Sequence, residues 1–306
     1  MGGITHILAA TDLSSNASPA IDRGFLIAGA SDARLTVLHA VGMDGLAPLR
    51  EFLGTRLGAV SQSIIDDAGE RLAQFVADSQ AKGAVAADLR IEQGMASTVI
   101  PAFVRSEGVD LVLLGAHGAG FLQRMLLGST TSRLLRTSGC PVLVVKRNAR
   151  KAYERVLVTV DLSPVSEAII RMAREVAPGA GLVLLHVLDM PFEGKMQLAG
   201  VDDSVIHHYR VEARTRAVSQ LRELARNAGV SPEDFTGLVI HGDATRTIIE
   251  HEASCGCDLI AIGKHGTSVT EELLLGSVTK RVLAESRSDV LVLVDPRPAD
   301  VARISP

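Results

Sequence analysis

The strongest constraint on this chain is that it is written twice. "HILAATDLS" at 6–14 returns as "VLVTVDLS" at 156–163, "LTVLHAV" at 35–41 as "LVLLHVL" at 182–188, and "GVDLVLLGAHG" at 108–118 as "GCDLIAIGKHG" at 256–266. The offset stays between 147 and 149 residues from one end to the other, which means one domain in two copies. The 306 residues then make two domains of ordinary size. The seam falls in the polar, basic "KRNARKA" at 146–152, which reads as a solvated linker. The expected domains are 1–148 and 152–306.

Each copy alternates short apolar runs with longer amphipathic stretches. In the first, strands are expected at Ile7–Thr11, Arg34–Ala40, Ala86–Glu92, Leu111–Gly115 and Pro141–Val145, with helices near 18–31, 57–82, 95–107 and 129–138. Strands are expected again near 155–160, 181–187, 236–241, 258–263 and 289–294. The runs are apolar throughout, the mark of strands covered on both faces. The order βαβαβαβαβ therefore predicts, in each copy, an α/β fold with a parallel sheet and helices on both sides. Ser163-Pro164 is a good helix start, and Ser14 or Ser18 is its counterpart in the first copy.

Composition removes several function classes. The net charge is −4 with both signs interspersed, and there are two Tyr, seven Phe and no Trp. Neither a basic field nor stacking aromatics point to nucleic acid. No run approaches the roughly 18 apolar residues of a membrane helix, and "MGGITHILAATDLSS" lacks the pattern of a secretory signal. Cys140, Cys255 and Cys257 are too few for a disulfide framework. The expectation is a soluble cytoplasmic protein.

The chemistry gathers after the fourth strand of each copy. The spacing is Gly115-x2-Gly118-x9-Gly128-Ser129, and it recurs as Gly263-x2-Gly266-x9-Gly276-Ser277. Glycine in such a loop permits positive φ and close backbone approach to an anion, and a helix start adds free N–H groups and a positive dipole end. The bland reading is a turn and a helix start. Between the copies, however, the glycines, the histidine and the serine agree while neighbours such as Ala116 and Lys264 differ. Phosphate binding is the better reading. A Walker loop is excluded because "GKH" at 263–265 is not followed by Ser or Thr, and the dinucleotide fingerprint because the first strand runs into "ATDLSS". Asp12 and Asp161 end the first strands. Each can accept from ribose hydroxyls or an adenine amino group, or can serve the turn into the next helix. Val41 and Leu188, placed just past the second strands, offer backbone atoms and an apolar wall to a base.

Together these residues resemble the universal stress protein family, in its tandem form with two UspA-like domains per chain. The resemblance covers both halves nearly end to end and implies a five-stranded parallel sheet of order 3-2-1-4-5, the adenine nucleotide alpha-hydrolase-like arrangement. It implies ATP or ADP as ligand, with Mg²⁺ as an accompaniment the resemblance allows. By position it places Asp12 and Val41 at ribose and adenine, and Gly115, His117, Gly118, Gly128, Ser129 and Thr130 at the phosphates. The second set is Asp161, Leu188, Gly263, His265, Gly266, Gly276, Ser277 and Val278, the last without a hydroxyl. It also implies pairing of the two domains through their last strands, "VLVV" and "VLVLV", and allows a homodimer.

Other signals weigh less. His39 and His186 sit at matching strand ends and read as structural, since no nucleophile motif accompanies them. His251, Cys255 and Cys257 invite a metal, but Cys257 stands where the first copy has Val109, so a small core residue is the better reading. His207-His208 reads as surface. The stretch 189–204, with Met190, Phe192, Met196 and Leu198, reads as a loop that either covers a site, forms a partner surface or packs locally. The expected function is a non-enzymatic, adenine-nucleotide-binding stress-response regulator. The competing readings are a slow ATP hydrolase or phosphotransferase, and an interaction scaffold with vestigial pockets.

Overall fold

Strand β1 (His6–Thr11) is buried at all six positions, because it lies in the middle of its sheet. The computed structural model describes residues 3–42, 57–80, 85–116, 127–163, 165–190, 193–264 and 275–294. After β1 come α1 (Ser18–Ser31), β2 (Arg34–Val41), α2 (Leu57–Gln80), β3 (Ala87–Gln93), α3 (Ala96–Glu107), β4 (Leu111–Gly115), α4 (Ser129–Thr137) and β5 (Val142–Val145). The second copy runs β6 (Arg155–Thr159), α5 (Val165–Val176), β7 (Gly181–Leu188), α6 (Glu193–Leu198), α7 (Asp203–Asn227), β8 (Phe235–His241), α8 (Ala244–Ser254), β9 (Leu259–Gly263), α9 (Ser277–Glu285) and β10 (Asp289–Leu293). The chain divides into two compact units, one ending at Ala152 and the other beginning at Tyr153.

In the first unit the strand order is β3-β2-β1-β4-β5 and every neighbouring pair is parallel. Ile7 stands level with both Leu35 of β2 and Leu111 of β4. In the second unit the order is β8-β7-β6-β9-β10, again parallel throughout. Each unit is therefore the expected 3-2-1-4-5 sheet. In both, the order reverses beside the first strand, and that opens a crevice at the carboxyl ends of the first and fourth strands.

Helix α1 lies close against its sheet. A Cβ added at Gly24 would stand 3.1 Å from Leu35 Cδ1 and 3.6 Å from Ala9 Cβ, so glycine sets the approach there. Ile21, Leu35, Leu38, Leu111 and Leu113 are fully buried around it. The outer strands depart from the expectation of cover on both faces. In β3, Asp88, Leu89 and Arg90 are exposed, and β8 is similarly open. These strands end their sheets, where charged side chains discourage further pairing. The 189–204 stretch also departs from expectation, since α6 occupies part of it. Met190 is buried, Leu198 is 91% exposed, and Phe192 lies outside the described residues. Helix α6 is tied by Glu193 to Arg210 of α7.

One carboxylate in each unit staples the fourth strand to the first. Asp110 Oδ2 accepts from Thr5 N–H at 2.8 Å, Thr5 Oγ1 at 2.7 Å and His6 N–H at 2.9 Å, while Asp110 N–H donates to His6 O. In the second unit Asp258 accepts from Glu154 N–H at 2.9 Å and Arg155 N–H at 3.1 Å, and its own N–H donates to Arg155 O. Burial pushes the Asp110 carboxyl up, but the Thr5 hydroxyl and the Thr5 and His6 amides outweigh it and hold it below its ordinary value.

His6 is buried beside this staple, with Nε2 2.9 Å from Thr36 Oγ1 and Nδ1 3.1 Å from Glu107 O. Its pKa is lowered from 6.5, chiefly by burial, with a hydrogen bond to the Glu107 carbonyl opposing and the Arg34 guanidinium adding to the fall. The unfolded chain therefore takes up this proton first as pH drops, so stability declines below about pH 6.5. The expected result is a melting temperature that falls between pH 6.5 and 5, with a shallower slope in His6→Gln. Equal slopes for the two proteins would remove His6 as the cause.

Two buried carboxylates belong to the second unit alone. Asp289 accepts from Tyr153 Oη at 2.6 Å where the first copy has Pro141. Glu252 Oε1 accepts from Arg287 and Ser288 N–H at 2.8 and 2.6 Å where the first copy has Val104. Each buried charge is paid for by hydrogen bonds. The linker is less free than its composition suggests, because Lys151 O accepts from the buried Arg23 of α1 at 2.9 Å.

Candidate functional site

The loop after β4 leaves and returns through a fixed base. Ala116 N–H donates to Val145 O at 3.0 Å, Gly128 N–H to Ala116 O at 3.1 Å, and Thr131 Oγ1 to Gly115 O at 3.0 Å. The second unit repeats this bond for bond: Lys264 N–H to Leu293 O at 2.8 Å, Gly276 N–H to Lys264 O at 2.9 Å, and Thr279 Oγ1 to Gly263 O at 2.8 Å. Thr131 and Thr279 hold matching positions in the duplicated sequence. That identity was the signal that would have found them. Loop residues His117, Gly118, His265 and Gly266 lie outside the described residues.

Gly128 and Gly276 are the N-caps of α4 and α9, and no side chain caps either helix. Their φ values are −54° and −55°, so the positive-φ argument for loop glycine does not apply to them. Their own N–H groups close the loop, which leaves the amides of Ser129–Thr131 and Ser277–Thr279 as helix-terminal donors without an acceptor among the described residues. Those amides carry the positive end of the helix dipole.

Each helix start borders a cavity at the crevice. The first, of 360 Å³, is lined by Ala10–Asp12 and Ala17, by Ala96 and Ile100 of α3, and by Leu114, Gly115 and Gly128–Thr131. The second, of 420 Å³, is lined by Thr159–Asp161, Ser163, Leu185–Asp189, Ile262, Gly263 and Gly276–Thr279, among others. Both volumes fall in the range of small-molecule sites. The structure thus gathers Asp12, Gly115, Gly128, Ser129 and Thr130 around one cavity, and Asp161, Leu188, Gly263, Gly276, Ser277 and Val278 around the other. Val41 is the last residue of β2 rather than a residue beyond it. It stands outside the cavity wall, and its carbonyl accepts from Gly94 N–H at 2.9 Å. Leu188 likewise ends β7 and faces a second hollow with Met190, Arg210, Arg214 and His241.

The two aspartates also serve their turns. Asp12 Oδ1 accepts from Ser14 N–H and Oγ at 3.0 and 2.6 Å, and Asp161 Oδ1 from Ser163 N–H at 3.1 Å. The residue after each, Leu13 or Leu162, sits at φ 61° or 62°, a conformation costly for leucine. The same strain in both copies, at a cavity rim, is a mark of a functional turn. Ser14 is spent on Asp12, and α1 starts at Ser18 with Ala17 as its N-cap, so neither serine caps that helix. Helix α5 starts at Val165, and Ser163 contributes its carbonyl, which accepts from Ser166 N–H. Pro164 lies outside the described residues.

The histidines take different parts. His39 Nδ1 lies 2.9 Å from Thr11 O and His186 Nδ1 2.9 Å from Val160 O, bridging first and second strands in each unit. His186 also lines the second cavity. His251 Nδ1 bonds Thr247 O, and burial pushes the Cys257 thiol up to about 12. Among the described residues no three His, Cys, Asp or Glu side chains form a metal-holding group. His207 and His208 are exposed, the latter 3.2 Å from Glu212. Among the described residues no helix is long and apolar enough to cross a membrane.

Fold and site define a class: a duplicated α/β protein with a cavity at each sheet's switch point, floored by an uncapped helix start. The model of the universal stress protein family matches residues 3–146 and again 152–294, and the chain belongs to that family. A universal stress protein of Mycobacterium tuberculosis is 30% identical over 278 residues, covering 86% of this chain and 90% of the relative. One from Mycolicibacterium smegmatis is 27% identical over 307 residues, covering 95% and 97%. Among solved structures, a functionally unknown protein of Pseudomonas aeruginosa PAO1 superposes with TM-score 0.62 at 20% identity, covering 96% of this chain and 93% of that one. A universal stress protein of Archaeoglobus fulgidus gives 0.61 at 18% identity, covering 94% and 98%.

Proposed function

We propose that each unit binds an adenine nucleotide, ATP or ADP, and that occupancy rather than turnover is the protein's output. The observation that carries this is the repeated arrangement of an uncapped helix start and a strand-end aspartate across one cavity, at 360 and 420 Å³. The amides of Ser129–Thr131 and Ser277–Thr279 suit phosphate oxygens. Asp12 and Asp161 suit ribose hydroxyls, and the apolar wall at Leu188 suits a base. Ser129, Thr130 and Ser277 add hydroxyl donors, while Val278 offers its backbone amide alone. His117, Gly118, His265 and Gly266 complete the proposed phosphate set, with Mg²⁺ as a companion of the phosphates.

The same proposal includes pairing of the units through "VLVV" (142–145) and "VLVLV" (290–294). Each contributes the apolar last strand of its own sheet, an edge that needs cover. The test is mass spectrometry of small molecules released from denatured, purified protein, followed by ATP titration and assay of phosphate release. ATP or ADP in the released fraction, up to two per chain, with no phosphate release is the expected result. Steady phosphate release favours the hydrolase reading. Failure to bind ATP or ADP leaves the scaffold.

A further inference from the structure

The second unit has a further hollow whose lining the nucleotide reading does not explain. It encloses 400 Å³ at the carboxyl ends of β7 and β8, where Leu188 stands level with His241. Leu188 and the buried Met190 and Val239 give it an apolar floor. Arg210 and Arg214 of α7, with His241, give it a basic wall, and among the described residues no acidic side chain lines it. Asp189, next to Leu188 in the chain, lines the nucleotide cavity instead.

The two guanidinium groups are unequal. Arg210 is paired with Glu193 of α6, and Asp203 also acts on it. The other carboxylate oxygen of Glu193, Oε2, lies 3.8 Å from His241 Nε2. The Arg214 side chain makes no ion pair and no hydrogen bond among the described residues. It stands one helical turn from Arg210, a spacing at which like charges repel. Duplication did not supply this cluster. Ala68, Leu72 and Val76 of α2 match Ala217, Leu221 and Ala225 of α7 in burial, at an offset of 149 residues. That register puts Ser61 and Ile65 where α7 has Arg210 and Arg214, and Gln93 ends β3 where His241 ends β8. The basic wall was therefore built in the second copy.

We infer that this hollow is a second ligand site, which takes a small organic anion: a carboxylate head on a compact apolar body. The planar fork of Arg214 offers a carboxylate two parallel donors, and a bound anion offsets the repulsion between the two arginines. The body rests on Leu188, Met190 and Val239, in a volume typical of small-molecule sites. Leu188 also lines the nucleotide cavity, so the two sites share a wall. The inference stands independently of what that cavity binds.

The experiment is fluorine NMR titration of the full chain with para-fluorobenzoate, for the wild type, Arg214→Gln and Gly276→Leu. The wild type takes up one probe per chain. Arg214→Gln weakens uptake about tenfold, the scale of one hydrogen-bonded charge. Gly276→Leu, which fills the nucleotide cavity, leaves uptake unchanged. No saturable uptake by the wild type overturns the inference, as does an Arg214→Gln protein that binds like the wild type. Loss of the probe in Gly276→Leu overturns it too, because the anion then sits at the start of α9. Equal uptake of para-fluorobenzamide, the neutral isostere, removes the anion from the account. Displacement of the probe by inorganic phosphate at equal concentration removes the apolar body. ATP titration of Arg214→Gln, expected to match the wild type, keeps the nucleotide reading a separate question.

Discussion

Asp110→Ala lowers the stability of the first unit by about 2 kcal/mol, a loss moderated by the solvent exposure of Thr5. The carboxylate accepts three hydrogen bonds from Thr5 and His6, and bonds to a charged acceptor are worth more than neutral ones. Truncation leaves two backbone amides at the start of β1 without their acceptor, at the point where β4 is pinned to β1. Asp110→Asn keeps the shape and one carbonyl acceptor and costs about 1 kcal/mol. Because the folded pKa lies below the ordinary 3.8, the contribution is fully present above that value. It is lost as pH falls from there through the folded pKa. Thermal unfolding of the two variants between pH 7 and 3 checks both points. A melting temperature unchanged in Asp110→Ala would remove the staple from the account.

Gly276→Leu, and Gly128→Leu in the other unit, weaken the proposed nucleotide binding at the altered site while leaving the fold intact. Both glycines have extended backbone angles that any residue adopts, and their N–H groups still reach Lys264 O and Ala116 O after substitution. Both are buried and line the cavity, so a new side chain has only the cavity or its wall to occupy. A weakening of at least tenfold is expected, on the scale of one bulky group in a closely fitted site. Ligand titration read beside far-UV circular dichroism checks it. A double variant that binds ATP with wild-type affinity and stoichiometry overturns the site assignment.

Both effects show where reading along the chain succeeds and where it stops. The apolar runs at 7–11, 34–40 and 111–115 place β1, β2 and β4 almost to the residue, because central strands advertise burial through uninterrupted hydrophobicity. The same rule overstates β3 and β8, whose outer position exposes Asp88 and Arg90. Position in the sheet order is absent from local pattern. The stretch 189–204 has the look of a loop, yet α6 forms there, held by a Glu193–Arg210 pair that joins it to the next helix.

The sequence by itself determined the duplication, the parallel α/β class, the family and the glycine–serine pairs that start α4 and α9. Each of these is written in residue spacing, and spacing survives without coordinates. Only the tertiary structure decided that Gly128 and Gly276 spend their amides closing a loop, that Thr131 and Thr279 lock it, and that Asp110 and Asp258 staple strands about a hundred residues apart in sequence. It also tied Asp161 to the first turn of α5 through the Ser166 hydroxyl. The physical reason is range: periodicity and turn chemistry act between neighbours, whereas these hydrogen bonds depend on distances and angles that exist only once the strands have paired.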